Sequence, residues 1–250
     1  MRYFMHATMA GIGCAFLACS GLAFAAGEGP WAAQADAGSP RNIAGVWWAS
    51  AYTRELRPVD GAAIPFTAAG RARYVAAQAD LKSGKLVDNA RHTCLPQGVP
   101  RVMTTQYPFL IMQTPGQVSL LFEENRVYRT VRLDVRHADP ELWDPSFMGE
   151  SVGHWQGNTL VVGTTNFKTV MFLDDAGLPH SDKLEVSERL TKTGQGSTLE
   201  DLITITDPVM FSKPWTVRLE YVSRPEVEIV TDWVCGEPHR NMAGLKGAAR

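Results

Sequence analysis

The sequence predicts a mainly β protein whose strands form an antiparallel meander closed into a barrel, with one helix on the N-terminal side. From residue 107 onward, apolar residues recur with a period of two. Turn dipeptides such as Pro115-Gly116 and Asp207-Pro208 separate the apolar segments, and only residues 66–83 have a helical pattern. With so few helices to cover sheet edges, closure into a barrel is the economical arrangement, and a β-sandwich is the alternative.

The individual elements follow from the same patterns. The helix over residues 66–83 has Thr67 as its predicted N-cap, followed by an Ala-rich run. Strands are predicted over residues 43–50, 107–114, 117–124, 127–134, 184–191, 198–206, 215–222 and 227–234, and residues 155–162 predict a strand, a tight turn and a second strand. Sequential strands joined by short turns are typical of a lipocalin-like barrel.

The N-terminal segment has the pattern of a secretory leader. Met1-Arg2 precedes an apolar stretch broken only by small residues, and Ala23-Phe24-Ala25 offers a small-x-small cleavage site. A transmembrane anchor is the alternative, but the apolar part is short and polar residues follow it. The predicted organisation is a signal peptide over residues 1–25, a flexible lead-in over 26–42, a single β-rich domain over 43–240 and a tail over 241–250.

Export implies a periplasmic or secreted protein with no transmembrane segment after cleavage. Phe16-Leu17-Ala18-Cys19 loosely resembles a lipobox, so a lipid anchor at Cys19 is an alternative to a soluble product. The cysteines outside the leader are Cys94 and Cys235, an even pair in an oxidising compartment. We predict a Cys94–Cys235 disulfide, with a metal site or a reactive thiol ranked below it because neither cysteine has a CxxC partner.

Composition argues against several classes of partner. With 24 Lys+Arg against 26 Asp+Glu, the chain has no general attraction for nucleic acid. The spacings HxH, HExxH and HxxxH are missing from the sequence, so no metal is predicted. No motif predicts a cofactor, and the expected partner is a small molecule.

Strand alternation places two opposite charges on apolar faces. Glu188 shares a face with Leu184, Val186 and Leu190, and Arg129 shares one with aliphatic neighbours on another strand. A charge inside a barrel is costly unless it is paired, which predicts a Glu188–Arg129 ion pair. Such a pair either stabilises the strand register alone or lines a ligand cavity.

Further polar and aromatic residues are candidates for a site. Catalytic candidates are Glu188 and three histidines, since His is the usual acid–base group near neutral pH: His137, His154 and His180. Ligand-binding candidates carry charge, hydrogen-bonding groups or rings for stacking: Arg101, Tyr107, Glu124, Arg129, Arg136, Trp143 and Trp155. Glu124 continues an apolar face but lies near a turn, so the alternative is that its side chain reaches solvent there.

Several motifs resemble a widespread family of exported bacterial proteins without an assigned function. They run from about residue 43 to about residue 240: residues 94–101 (CLPQGVPR), 107–109 (YPF), 113–116 (QTPG), 121–123 (LFE), 134–136 (DVR), 148–162 (MGESVGHWQGNTLVV), 180–181 (HS), 188–189 (ER), 207–208 (DP) and 213–216 (KPWT). The resemblance implies no activity. Acidic residues are usual in the family at Asn158 and Gly163, Gly is usual at Val135, and the family histidine follows His137 by one position.

Three classes of function fit these observations. The first is a small-ligand-binding protein with a lipocalin-like barrel that holds a partly apolar ligand in its mouth. The second is a cofactor-independent lyase, isomerase or hydrolase that uses an interior carboxylate or a histidine. The third is an envelope interaction protein with no small ligand.

Overall fold

The computed structural model describes residues 38–85, 95–139 and 141–229. In this part of the chain there are one α-helix, nine β-strands and three short 3₁₀ turns. The helix α1 is Ala68–Ser83, and the strands are β1 (Gly45–Ala49), β2 (Phe109–Thr114), β3 (Gln117–Phe122), β4 (Tyr128–Leu133), β5 (Glu150–Gln156), β6 (Thr159–Thr165), β7 (Glu185–Thr193), β8 (Thr198–Thr206) and β9 (Trp215–Ser223).

The strands pair in chain order and the sheet closes on itself. β9 returns to β1, where Trp48 lies opposite Val222, so β1 through β9 form a closed barrel. The predicted mainly β barrel with one N-terminal helix is confirmed, and the sandwich alternative is excluded. Closure pairs each strand on both sides, which removes the exposed edges of an open sheet.

One strand pair departs from the predicted antiparallel meander. β4 and β5 run parallel, with Val131 opposite Ser151 and Leu133 opposite Gly153. Parallel neighbours cannot be joined by a tight turn, and here residues 134–149 carry the chain back to the same end of the barrel. The prediction was wrong for this pair because the alternation of apolar residues along a strand is the same whichever direction the strand runs relative to its neighbour.

Most predicted strands agree with the observed ones to within about two residues at each end, and two places differ more. The strand, turn and strand expected within residues 155–162 are confirmed, but β5 begins earlier, at Glu150, and β6 continues to Thr165. The strand predicted over 227–234 is wrong for residues 227–229, which are not in a strand, and its remaining residues lie outside the described part. β9 already pairs with β1, so the barrel is complete without a further strand.

Helix α1 packs outside the barrel, against the turn between β8 and β9. As predicted, Thr67 caps it: its hydroxyl oxygen accepts a hydrogen bond from the Gly70 N–H at 2.9 Å. A Cβ at Gly70 would lie 2.0 Å from the carbonyl oxygen of Met210, so glycine is required for this close approach.

The barrel interior is mostly apolar and follows the alternation of each strand. Buried residues on β8 are Leu199, Asp201, Ile203 and Ile205, whereas their neighbours on the same strand lie on the outer face. Arg129, Glu188 and Asp201 are the inner-face charges that lie close together in this core.

Several predictions concern residues that the structure leaves undescribed. The leader, the Cys19 lipid-anchor alternative and the Cys94–Cys235 disulfide all lie outside the described residues. Within residues 38–85, 95–139 and 141–229, no helix has the length and apolarity that crossing a bilayer requires.

Candidate functional site

The predicted interior ion pair is present. Arg129 on β4 and Glu188 on β7 face each other in the core, with side chains 2% and 0% exposed. The Arg129 Nη1 donates to Glu188 Oε1 at 2.8 Å, and Nη2 bonds the second carboxylate oxygen, so the contact is bidentate.

Two hydroxyl groups complete the coordination of Arg129. Its Nε donates to Ser151 Oγ at 3.0 Å, and its Nη2 donates to Thr164 Oγ1 at 2.7 Å. These hydroxyls lie 2.9 Å from each other. Burial disfavours the guanidinium charge, but the Glu188 carboxylate outweighs it and raises the pKa of Arg129.

A second carboxyl group, Asp201 on β8, lies next to this pair. Asp201 is 0% exposed, and in the described structure no side chain donates a hydrogen bond to its carboxylate oxygens. Burial, followed by the Glu188 charge, raises the pKa of Asp201 well above its ordinary value, and Arg129 and the Arg189 backbone only partly oppose this rise. Asp201 is therefore favoured as a neutral acid.

Sequence reasoning missed Asp201, although the signal was present. Asp201 alternates with Leu199 and Ile203, the same pattern that identified Glu188. Nearby, the Tyr221 hydroxyl donates to the Met103 carbonyl oxygen at 3.0 Å, and burial raises the pKa of Tyr221 well above its usual range. Arg129, Glu188, Asp201 and Tyr221 thus form a buried polar cluster in the interior.

An open crevice of about 590 Å³ lies in the barrel wall beside this cluster. The β4–β5 ladder covers only Val131–Leu133 on β4, and residues 128–130 lie beyond it, opposite residues 146–150. The crevice is lined by residues from both of these segments, and Arg129 and Ser151 are among them. The crevice therefore forms where the two parallel strands begin and are not yet hydrogen-bonded.

Aromatic and cationic side chains surround the crevice. Tyr128, with 69% of its surface exposed, Trp143 and Phe147 line it with Arg132. The Arg132 guanidinium lies 5.5 Å from the Trp143 ring centre, and Lys168 Nζ lies 4.8 Å from that of Phe147. This lining can stack a flat apolar group and attract a negative charge.

Glu150, at the edge of the crevice, joins three groups on the outer face of the barrel. Its Oε2 lies 2.6 Å from His137 Nδ1, its Oε1 accepts from the Ala138 N–H at 3.0 Å, and Arg132 forms an ion pair with it. Burial opposes ionisation of Glu150, but the Ala138 N–H, His137 and Arg132 outweigh burial and lower its pKa. Glu150 is thus a carboxylate.

Sequence reasoning did not select Glu150. Its partners are in a loop and on a parallel neighbouring strand, which no local pattern brings together. His137 was predicted as a catalytic candidate, and the structure gives it this carboxylate partner.

Other predicted site residues are distributed around the molecule. Trp143 and Arg129 line the crevice, while Arg136 and His154 line a neighbouring groove on the outer face. Trp155 is partly buried against the core. The structure therefore divides the predicted ligand-binding residues between at least two surfaces.

The remaining predicted site residues do not line the crevice, and each contacts another part of the protein. Arg101 is buried, and its Nε donates to Asp175 Oδ1 at 2.7 Å. Glu124 is buried in a 3₁₀ turn, contrary to the alternative that it reaches solvent at the turn. His180 is buried with its Nδ1 3.0 Å from the Ser181 carbonyl oxygen, and burial lowers its pKa. Tyr107 precedes β2 and is partly buried.

The fold and the site together define a closed nine-stranded barrel with a charged core and an aromatic crevice in its wall. In the described residues, no group of three or more His, Cys, Asp or Glu side chains is placed to hold a metal ion. No protein-family model matches the chain. No curated protein matches it either.

Proposed function

We propose that this protein binds a small ligand with a flat apolar body and an anionic group in the crevice between the beginnings of β4 and β5. The observation that carries this proposal is a crevice of about 590 Å³ whose lining combines Tyr128, Trp143 and Phe147 with Arg132. Its volume lies within the range of small-molecule sites, which are mainly apolar with a few placed polar groups.

The charged residues that line the crevice favour binding of an anion over binding of a cation. Arg126, Arg129 and Arg132 line the crevice, and Glu150 is the acidic residue in its lining. Three arginines against one glutamate give the lining an excess of positive charge. An anionic group attached to an aromatic ring would meet both the ring surfaces and this excess.

The crevice can be probed with 8-anilinonaphthalene-1-sulfonate, an aromatic anion whose fluorescence rises in apolar sites. We expect saturable binding that Tyr128→Ala and Trp143→Ala each weaken roughly fivefold, because an aromatic contact contributes about 1 kcal/mol. Fluorescence titration measures the dissociation constants. The neutral analogue N-phenyl-1-naphthylamine is expected to bind more weakly, since it lacks the sulfonate.

Leu142→Ala is the matched control for this titration. Leu142 is highly exposed and adjacent to Trp143 in sequence but does not line the crevice, so its removal should leave the dissociation constant unchanged. Equal weakening by Leu142→Ala and Trp143→Ala would contradict a site in the crevice. Mass spectrometry of small molecules that co-purify with the mature protein then identifies the natural ligand.

The proposed binding takes place outside the cytoplasm, either in solution or from a lipid anchor at Cys19. The leader pattern over residues 1–25 and the resemblance to exported bacterial proteins support this compartment. Small ligands in that compartment could reach the crevice directly.

Export predicts that Cys94 and Cys235 form an intramolecular disulfide. The exported protein should migrate faster on a non-reducing gel than on a reducing gel, because the bridge closes a long loop and keeps the denatured chain compact. Cys94→Ser should abolish the difference. Identical mobility of the parent protein under both conditions would show that the bridge is not formed.

A further inference from the structure

We propose that His137 is the nucleophile of a second site on the outer face of the barrel, which accepts small esters and related activated acyl compounds. Glu150 is its positioning residue. This site is a groove of about 780 Å³, lined by loop residues 134–136 and by parts of β5, β6 and β7. The inference is independent of ligand binding in the crevice.

The orientation of the imidazole carries the proposal. The Glu150 carboxylate lies 2.6 Å from Nδ1, and Thr165 Oγ1 makes a longer contact of 3.5 Å with the same nitrogen. An ionised carboxylate accepts hydrogen bonds and cannot donate them, so Nδ1 carries the proton in neutral His137. The lone pair is then on Nε2, and the carboxylate increases its electron density.

Gly163 on β6 leaves room for Nε2 at the floor of the groove. A Cβ placed at Gly163 would lie 3.4 Å from Nε2, which is van der Waals contact distance. Gly163 lines the groove, so Nε2 adjoins the groove at this position. A side chain longer than a methyl group at position 163 would crowd Nε2 on the side of the groove.

Donors for the carbonyl oxygen of an ester line the same groove. Ser187 lies opposite Gly163 across the β6–β7 ladder, and Arg136 comes from the loop that carries His137. Hydrogen-bond donors beside a nucleophile stabilise the negative charge that develops on a carbonyl oxygen under attack. These two residues could serve as such donors for a bound ester.

The reaction is balanced with water as the second reactant. Nε2 attacks the carbonyl carbon, and the bond to the alcohol oxygen breaks. The departing alkoxide takes up the proton that Nδ1 loses, so the alcohol leaves and a neutral acyl-imidazole remains on Nε2. Water then attacks the acyl carbon: its hydroxyl group completes the carboxylic acid, and its other proton returns to Nδ1 and restores His137. The net change is hydrolysis of the ester to an acid and an alcohol.

Diethyl pyrocarbonate tests the reactivity of Nε2 directly, because imidazole nitrogen takes its ethoxycarbonyl group and releases ethanol and carbon dioxide. Peptide mapping by mass spectrometry should show His137 modified at least threefold faster than His154, an exposed histidine on β5. Glu150→Gln should slow modification of His137 at least threefold and leave the rate at His154 unchanged. Equal rates at the two histidines in the parent protein would overturn the proposal.

Gly163→Val provides a variant that leaves His137 and Glu150 intact. It should slow modification of His137 at least fivefold, because the new side chain occupies the space in front of Nε2. Hydrolysis of p-nitrophenyl acetate should fall at least tenfold in His137→Gln and less than twofold in Glu220→Gln, which changes an exposed acid on β9 outside the groove. Unchanged modification in Gly163→Val, or unchanged hydrolysis in His137→Gln, would each contradict a nucleophile in this groove. Unchanged circular dichroism shows that the variants are folded.

Discussion

Arg129→Met is expected to lower the free energy of unfolding by about 3–5 kcal/mol at neutral pH, the cost of leaving a buried charge without its partner. Glu188 is 0% exposed and makes a bidentate contact with Arg129, so methionine removes the cation from a carboxylate that cannot reach solvent. Urea denaturation followed by tryptophan fluorescence measures the change.

Two comparisons separate the loss of charge from the loss of volume. The double variant Arg129→Met/Glu188→Met should recover at least half of the loss, because a matched apolar pair leaves no buried charge. Arg57→Met removes an exposed ion pair with Glu55 and should change stability by less than about 0.5 kcal/mol. A single variant Arg129→Met as stable as the parent would mean that Glu188 gains access to water.

Asp201→Asn is expected to make the protein more stable than the parent at alkaline pH, and the gap should close toward acidic pH. The folded parent keeps a proton on Asp201 because its pKa is raised, whereas the unfolded chain releases this proton above a pH of about 3.9. Between the unfolded and the folded pKa, the folded state therefore binds more protons. The stability of the parent falls there by about 1.4 kcal/mol per pH unit.

Asparagine has nearly the same shape and has no proton to lose in this range, so the variant lacks this part of the pH dependence. Urea denaturation across the pH range measures both curves. Glu220→Gln, a substitution of an exposed acid on the outer face of β9, should keep the slope of the parent. A constant difference between Asp201→Asn and the parent at every pH would show that Asp201 is not held neutral.

Alternation along single strands predicted which charges enter the barrel. Glu188 and Arg129 were identified in this way, and their contact follows because the core brings unlike charges together. Asp201 has the same pattern on β8, so it could have been identified by the same argument. A strand's inner face depends on its own residues because successive side chains point to opposite sides.

The crevice and the Glu150–His137 contact could not be predicted in this way. Both depend on β5 running parallel to β4, which requires residues 134–149 to return across the outer face. Alternation has no direction, so it cannot distinguish a parallel neighbour from an antiparallel one. Arg101 shows the same limit, because its partner Asp175 is distant in sequence.

The sequence by itself determined that the protein is strand-rich, where most strands lie, that Thr67 caps the helix, and that Arg129 and Glu188 are interior. These properties are local, since they depend on periodicity and on neighbouring residues. Only the tertiary structure decided the order and direction of strand pairing, the opening between β4 and β5, and the position of His137 above Gly163. Those features depend on contacts between distant segments, whose geometry is set by closure of the whole barrel.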